Sequence, residues 1–180
     1  LIIPEMVVTI GDDAFRDTNI TELIIPDAVT SIGSYALSGV PIRDLTIGSS
    51  VASIGDRAFE NSFIKTVVIP ESVTSIGNYA FYQSPITQLT IENAPTTIGD
   101  GAFSGTQLLT LNIPDTVTNI GSNAFSSNAS LTEVTIGNGV TSIGSSAFHY
   151  APQLAKVIIG NAVTSIGDHA FREAPIVELT

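Results

Sequence analysis

The stretch LTEVTIGNGVTSIGSSAF at residues 131–148 decides the fold, because variants of it recur along the whole chain. Its most regular mark is the dipeptide Ile-Gly, with an Ala-Phe pair beginning four residues after the Ile. The spacing between copies is 22 residues five times and then 23 residues twice. A fixed period of this length is typical of solenoids, in which each repeat forms one coil. The copies begin at Ile10, Ile32, Ile54, Ile76, Ile98, Ile120, Ile143 and Ile166.

The segment upstream of each Ile-Gly follows the pattern apolar-x-x-apolar-x-Ile, as in residues 20–25 and 131–136. Its last three residues alternate between apolar and other side chains, which predicts a strand. A Pro or Gly such as Pro26 or Gly137 then ends that strand. One repeat cannot bury its own apolar side chains, but repeats stacked at about 4.8 Å place them in continuous columns. We therefore expect a parallel sheet that runs along the stack.

The residue after each Ile-Gly is always Asp, Ser or Asn, which are the types preferred at helix N-caps. This column predicts a short helical turn through Ala-Phe, with calcium binding by its acidic members as a weaker alternative. The column consists of Asp12, Ser34, Asp56, Asn78, Asp100, Ser122, Ser145 and Asp168.

The domain organisation predicted from the repeats is one solenoid segment over residues 1–180. Seven complete repeats occupy residues 20–175, and partial repeats flank them on both sides. Neither end shows a polar capping repeat, so we expect the natural protein to continue beyond both ends.

The charge balance of the chain argues against two classes of partner. Six Lys and Arg stand against seventeen Asp and Glu, for a net charge of -11. Nucleic acids and anionic lipids need clustered cations, so neither is expected as a partner. No apolar run reaches the length of about 20 residues that a spanning helix needs, so no membrane insertion is expected in this segment. With no Cys, thiolate metal sites and disulfides are excluded, and we expect no cofactor.

On residues 135–148 above all, the chain resembles the BspA-like leucine-rich repeat family, also called the Treponema pallidum type. The resemblance covers the whole chain. It implies a curved right-handed solenoid with a parallel β-sheet on the concave side and short strands, turns or single helical turns on the convex side. It also implies an extracellular or cell-surface location and a role in adhesion or protein binding. One departure is that the family's Cys after Ala-Phe is replaced here by residues such as Thr106 and Asn128.

The concave sheet is the first candidate for a binding surface, because solenoids commonly use that extended face for partners. Two outward columns are expected on it, and we predict that they bind a protein partner. The alternative is that the β-branched residues among them simply favour strands. The predicted binding residues are Glu22, Ile24, Asp44, Thr46, Val68, Gln88, Thr90, Thr110, Asn112, Glu133, Thr135, Lys156 and Ile158.

A hydroxyl row gives a second candidate function, that of a structural or glycan-contacting surface protein, with ice as a further alternative. The competing interpretation is that these hydroxyls bond to neighbouring backbone between stacked coils. The row consists of Thr30, Thr74, Thr96, Thr118, Thr141 and Thr164, flanked by Ser31, Ser53, Ser75, Thr97, Ser142 and Ser165.

The remaining aromatic and polar side chains give only weak signals. The aromatics beside or after Ala-Phe form either a second contact patch or a scattered set, and they are Tyr35, Tyr79, Tyr82, Tyr150 and Phe63. His149 and His169 lack the further ligands that a zinc site needs. Asn19 and Asn128 begin N-glycosylation sequons in return loops. No catalytic motif breaks the repeat, so we predict that the chain is not an enzyme.

Overall fold

The repeats fold into a parallel β-solenoid of about eight coils. The computed structural model describes residues 1–93 and 97–180. Each complete coil contributes one short strand, which ends on the Ile of Ile-Gly, and one longer strand from the upstream apolar segment. Parallel pairing in exact repeat register lets equivalent side chains stack into columns. This confirms the leucine-rich repeat stack predicted from the period.

The short strands form one eight-stranded sheet in chain order. Each strand pairs with the strand one repeat away, so that Ile120 lies beside Ile98 and Ile143. The strands are β1 Thr9–Ile10, β3 Ser31–Ile32, β5 Ser53–Ile54, β7 Ser75–Ile76, β9 Thr97–Ile98, β11 Asn119–Ile120, β13 Ser142–Ile143 and β15 Ser165–Ile166.

The longer strands form the opposite wall, whose outward surface we call the long-strand face. They are β2 Glu22–Ile24, β4 Asp44–Thr46, β6 Thr66–Ile69, β8 Gln88–Ile91, β10 Thr110–Ile113, β12 Glu133–Ile136, β14 Lys156–Ile159 and β16 Glu178–Leu179. Hydrogen-bonded pairing groups them as β2-β4, β6-β8 and β10-β12-β14-β16. The ladder is therefore open between β4 and β6 and between β8 and β10, although the sequence period continues unchanged.

The core is a set of columns between the two walls. Its largest members are stacked phenylalanines, whose neighbouring ring centroids lie 5.1–5.5 Å apart with planes tilted by 4–8°. Each fully buried ring contributes about 1.5–3 kcal/mol through removal of apolar area from water. The column consists of Phe59, Phe81, Phe103, Phe125, Phe148 and Phe171.

The predicted helical turn through Ala-Phe is wrong. In a representative coil this segment is a run of β-turns, with Ala124 N–H donating to Gly121 C=O and Ser126 N–H to Asn123 C=O. Asn123 and Ser127 have φ angles of 56° and 57°, which a right-handed helix does not allow. The reason is that alternate N–H groups point to the next coil, and the Phe125 N–H donates to Ala147 C=O at 2.8 Å. The described residues contain no helix.

The residues predicted as N-caps bond between coils instead. Asp100 Oδ1 accepts the backbone N–H of Ser122 at 2.7 Å, which is the residue at the same position of the next coil. Asp56 Oδ1 accepts the N–H of Asn78 in the same way, also at 2.7 Å. These carboxylates therefore satisfy backbone donors along the stack, which weakens the calcium alternative.

Candidate functional site

The long-strand face carries every residue predicted for the concave binding surface, and each of these side chains is exposed or half-exposed. Strand register places them in two parallel columns within each of the three groups of paired strands, and the sequence period continues both columns across the two openings. One column contains Ile24, Thr46, Val68, Thr90, Asn112, Thr135 and Ile158. The other contains Glu22, Asp44, Gln88, Thr110, Glu133 and Lys156. The structure thus brings the predicted residues together, while their binding role stays a prediction.

One column of this face exposes aliphatic side chains in the first coils. Ile2 is 91% exposed and bridges to Ile24, which is 67% exposed, and Val68 is 46% exposed. Neighbouring exposed aliphatic side chains on a regular surface mark contact sites more often than isolated ones do.

The last coils of the face are charged and internally paired. Lys156 Nζ lies 3.0 Å from Glu133 Oε1. Its pKa is raised by this hydrogen bond and by the negative charges of Glu133 and Glu178. Lys156 is therefore engaged within its own column.

A cleft opens where the ladder is interrupted between β4 and β6. The backbone N–H of Arg43 donates to a carbonyl of the coil before it, and the C=O of Lys65 accepts backbone N–H groups of the coil after it. Between these two equivalent positions, no backbone hydrogen bond is found in the described chain. The opening leaves a cavity of about 1090 Å³, which we call the strand cleft. We define it by Arg43, Leu45, Phe63, Lys65, Val68 and Pro70 among its lining residues.

The strand cleft supplies an aromatic contact that the sequence did not reveal. Phe63 lies after Ala58 and Phe59 and before β6, as the sequence indicates. Its N–H donates to Ile42 C=O, and its ring, 53% exposed, lines the cleft. Leu45, a core position in its strand, is half-buried there. The sequence contains one sign of the strand cleft, which is that Arg43 and Lys65 are cations at equivalent positions 22 residues apart.

The tyrosines at the turn edge form a packed cluster with arginines. The Arg57 guanidinium lies 4.5 Å from the Tyr79 ring centroid and 5.9 Å from that of Tyr35. Arg16 lies over the other end of the group, 4.9 Å from Tyr35. These half-buried rings are engaged in cation–π contacts along the stack. Tyr150, at 52% exposure, is the open aromatic of that edge among the predicted tyrosines.

Four threonines of the hydroxyl row bond to backbone between coils. The Thr74 hydroxyl donates to Ala52 C=O at 3.2 Å, and the Thr141 hydroxyl donates to Thr118 C=O at 3.1 Å. Thr30 and Thr164 do the same with their preceding coils. Thr96 lies outside the described residues. Because these donors are used internally, the row has less to offer a glycan or an ice surface.

Part of the column that the resemblance aligns with the family's Cys holds buried polar groups here, at Ser62, Ser84, Thr106 and Asn128. Asn128 is fully buried, and its amide donates to the carbonyls of Phe103 and Phe125 at 3.0 Å. Its Oδ1 accepts the hydroxyl of Thr106. The sequon at Asn128 is therefore closed to modification in the folded chain, whereas Asn19 is exposed.

The described residues contain no group of three or more His, Cys, Asp or Glu that could hold a metal ion. His149 Nε2 lies 3.6 Å from Glu173 Oε1, a simple pair on the turn edge. Over residues 1–93 and 97–180, no helix is long and apolar enough to cross a membrane.

Comparison with known proteins gives a family match over the chain. The model of the BspA type leucine rich repeat region matches residues 1–104 and 74–180, in six copies. No curated protein matches the sequence.

Three solved structures share the fold. The pneumococcal vaccine antigen PcpA is 21% identical with a TM-score of 0.73, over 97% of this chain and 56% of that one. A leucine rich cell surface protein from Faecalibacterium prausnitzii is 27% identical with a TM-score of 0.57, over 96% and 64%. The T. pallidum leucine rich repeat protein is 23% identical with a TM-score of 0.61, over 89% and 67%. The chain thus spans between about half and two thirds of their lengths.

Proposed function

Because the chain belongs to the BspA type leucine-rich repeat family, we propose that it is a binding module that recognises a protein partner through its long-strand face. The observation that carries the proposal is the exposed, in-register double column on that face, with Ile24 and Val68 among its open apolar side chains. An extended surface of this kind suits a protein contact because many side chains can be buried at once. The binding residues are the thirteen predicted from the sequence.

An extracellular or cell-surface location is part of the same proposal. It is supported by the similarity to a leucine rich cell surface protein from F. prausnitzii and to a pneumococcal vaccine antigen. We also propose that the segment acts without catalysis, as an adhesive surface. The glycan alternative loses support because the hydroxyls of Thr74 and Thr141 already donate to backbone carbonyls.

The test is selection of a phage-displayed library of random dodecapeptides on the purified chain. Peptides enriched on the wild type are then measured on a variant carrying Thr90→Arg and Asn112→Arg, two exposed positions of the long-strand face. We expect at least about tenfold weaker binding, since two long charged side chains would block the surface. The control carries Ala52→Arg and Thr118→Arg, two exposed positions on the short-strand side.

The control has the same added charge and should bind like the wild type. Failure to enrich any peptide would contradict the long-strand face as the binding surface. Equal binding by the wild type and the Thr90→Arg/Asn112→Arg variant would contradict the part of that face formed by β8 and β10.

A further inference from the structure

The strand cleft differs from the rest of the surface in the pairing of its cations. Four of the six cations of the chain have a carboxylate within 4 Å: Arg16, Arg57, Lys156 and Arg172. The other two are Arg43 and Lys65, and in the described part of the chain neither side chain has an ion-pair or hydrogen-bond partner. Both are exposed, and both line the strand cleft. In a chain of net charge -11, two neighbouring unpaired cations are a feature that folding does not use.

The apolar part of the cleft lies beside these cations. Phe63 precedes Lys65 by two residues and Val68 follows it by three, and Leu45 exposes part of a core side chain where the ladder opens. Ile47 is 8% exposed, against 1% for Ile25 in the coil before it. The interrupted ladder therefore uncovers apolar surface that the intact ladder covers elsewhere.

The far end of the cleft is negative. Asp27, which follows β2, and Glu92, which follows β8, line it from the two outer coils. One carboxylate oxygen of each accepts a backbone N–H just after β4 or β6, from Ser49 and Glu71 respectively. The hydrogen bond from Ser49 lowers the pKa of Asp27, so its charge is retained. Lys65 and Pro70 are five residues apart, so the positive and negative ends are separated by about 16 Å along the strands. Asp44 directly follows Arg43 and lines the cleft near its positive end.

We propose that the strand cleft binds an extended peptide segment of about five residues, with an acidic side chain at the Arg43–Lys65 end and a basic side chain at the Asp27–Glu92 end. An apolar side chain of the peptide packs on Phe63 and Val68 between them. This proposal rests on the proposed function, and it defines the partner as a protein segment with both signs of charge. An acidic polysaccharide matches the cations only, because it has neither the apolar side chain nor the opposite charge.

The inference follows from complementarity of charge along the groove. A carboxylate placed between two cations forms charge-assisted hydrogen bonds with both, which are stronger than hydrogen bonds between neutral groups. A cation between Asp27 and Glu92 gains in the same way. The intervening distance matches an extended peptide, because five residues span about 16 Å in that conformation.

The experiment uses the whole chain and the library of random dodecapeptides. The cleft variant carries Arg43→Gln and Lys65→Gln, both at exposed side chains without partners, so folding should be unchanged in a thermal melt. The matched control carries Arg16→Gln and Arg172→Gln, which removes the same charge from exposed positions on the turn edge. Polygalacturonate serves as the acidic polysaccharide probe.

We expect peptides enriched on the wild type to combine an acidic and a basic residue about five positions apart, and to bind the cleft variant at least tenfold more weakly, but the control unchanged. Replacement of the acidic residue of such a peptide by its amide should weaken binding to the wild type only. Equal binding to the wild type and the cleft variant would overturn the cleft proposal, as would a preference of the cleft for polygalacturonate.

The two proposals fail differently. If binding survives Arg43→Gln/Lys65→Gln but is lost in Thr90→Arg/Asn112→Arg, the long-strand face binds elsewhere than at the cleft. If neither variant affects binding, the long-strand face itself is not the binding surface.

Discussion

The rings of Phe81 and Phe103 stack with their centroids 5.1 Å apart and their planes tilted by 4°. They come from coils 22 residues apart, so the ring spacing reproduces the rise from one coil to the next. Parallel strands lie about 4.8 Å apart, which is close to the distance at which offset aromatic rings attract one another. The phenylalanine column therefore packs well because its spacing is set by the hydrogen-bonded backbone.

Removal of one ring from the middle of the column should destabilise the chain strongly. Phe103→Ala is expected to lower the free energy of unfolding by about 3–5 kcal/mol, because a cavity remains between two rigid coils. Phe103→Leu should cost less, roughly 1–2 kcal/mol, because Leu37 fills that position in its own coil. Urea unfolding curves measure both, and equal losses for the two variants would count against the packing explanation.

Because neighbouring backbones approach closely at the glycine of Ile-Gly, replacing this glycine should destabilise the chain. A Cβ on Gly121 would lie 2.6 Å from the Gly99 carbonyl carbon, whereas a Cβ on Gly11 has nothing within 4 Å. We expect Gly121→Ala to lower the free energy of unfolding by about 1–3 kcal/mol, as overpacking does. Gly11→Ala, the matched control, should be neutral or slightly stabilising. Thermal melts that show no difference between the two would be inconsistent with this backbone contact.

The buried amide of Asn128 should contribute to stability through its hydrogen bonds. Asn128→Ala leaves the carbonyls of Phe103 and Phe125 without this donor, so we expect a loss of about 1–3 kcal/mol. Asn19→Ala changes an exposed side chain and should leave stability unchanged. Chemical denaturation of both variants measures the difference. A harmless Asn128→Ala would mean that its hydrogen bonds are replaced when it is removed.

The hydrogen bond from Ser49 to Asp27 should make stability depend on acid pH. Because this bond lowers the pKa of Asp27 in the folded chain, its stabilisation is present above the ordinary pKa and is lost as pH falls through the lowered value. Asp27→Asn keeps an oxygen acceptor but cannot titrate there. We expect the stability difference between the wild type and Asp27→Asn to shrink on acidification from about pH 6 to about pH 2, across the carboxylate range. A difference that is independent of pH would refute the assignment.

Much of the fold follows from the sequence because a strict period leaves one consistent arrangement. The outward positions of residues such as Thr90 and Asn112 come from strand alternation repeated in every coil. The turn after Ile-Gly was misread because Asp, Ser and Asn are equally suited to helix caps and to bonds between coils. The positive φ of Asn123 has the same ambiguity, since Asn tolerates that conformation in several kinds of turn.

The strand cleft could not be predicted from the period, which implies an unbroken ladder. Arg43 and Lys65 are like charges at equivalent positions beside the opening between β4 and β6. The opening between β8 and β10 has no such pair, because Thr87 and Leu109 occupy the equivalent positions. Phe63 and part of Leu45 are exposed because β4 and β6 do not pair. The sequence period does not specify this interruption.

The most direct test of the long-strand face as a binding surface is hydroxyl-radical footprinting of the chain with and without a peptide enriched on it. The method measures the oxidation of exposed side chains. Val68 and Phe63, at 46% and 53% exposure, report on the long-strand face, and Tyr150, at 52%, reports on the turn edge. We predict that the peptide protects Val68 and Phe63 and leaves Tyr150 unchanged. Protection of Tyr150 with continued oxidation of Val68 and Phe63 would contradict the account.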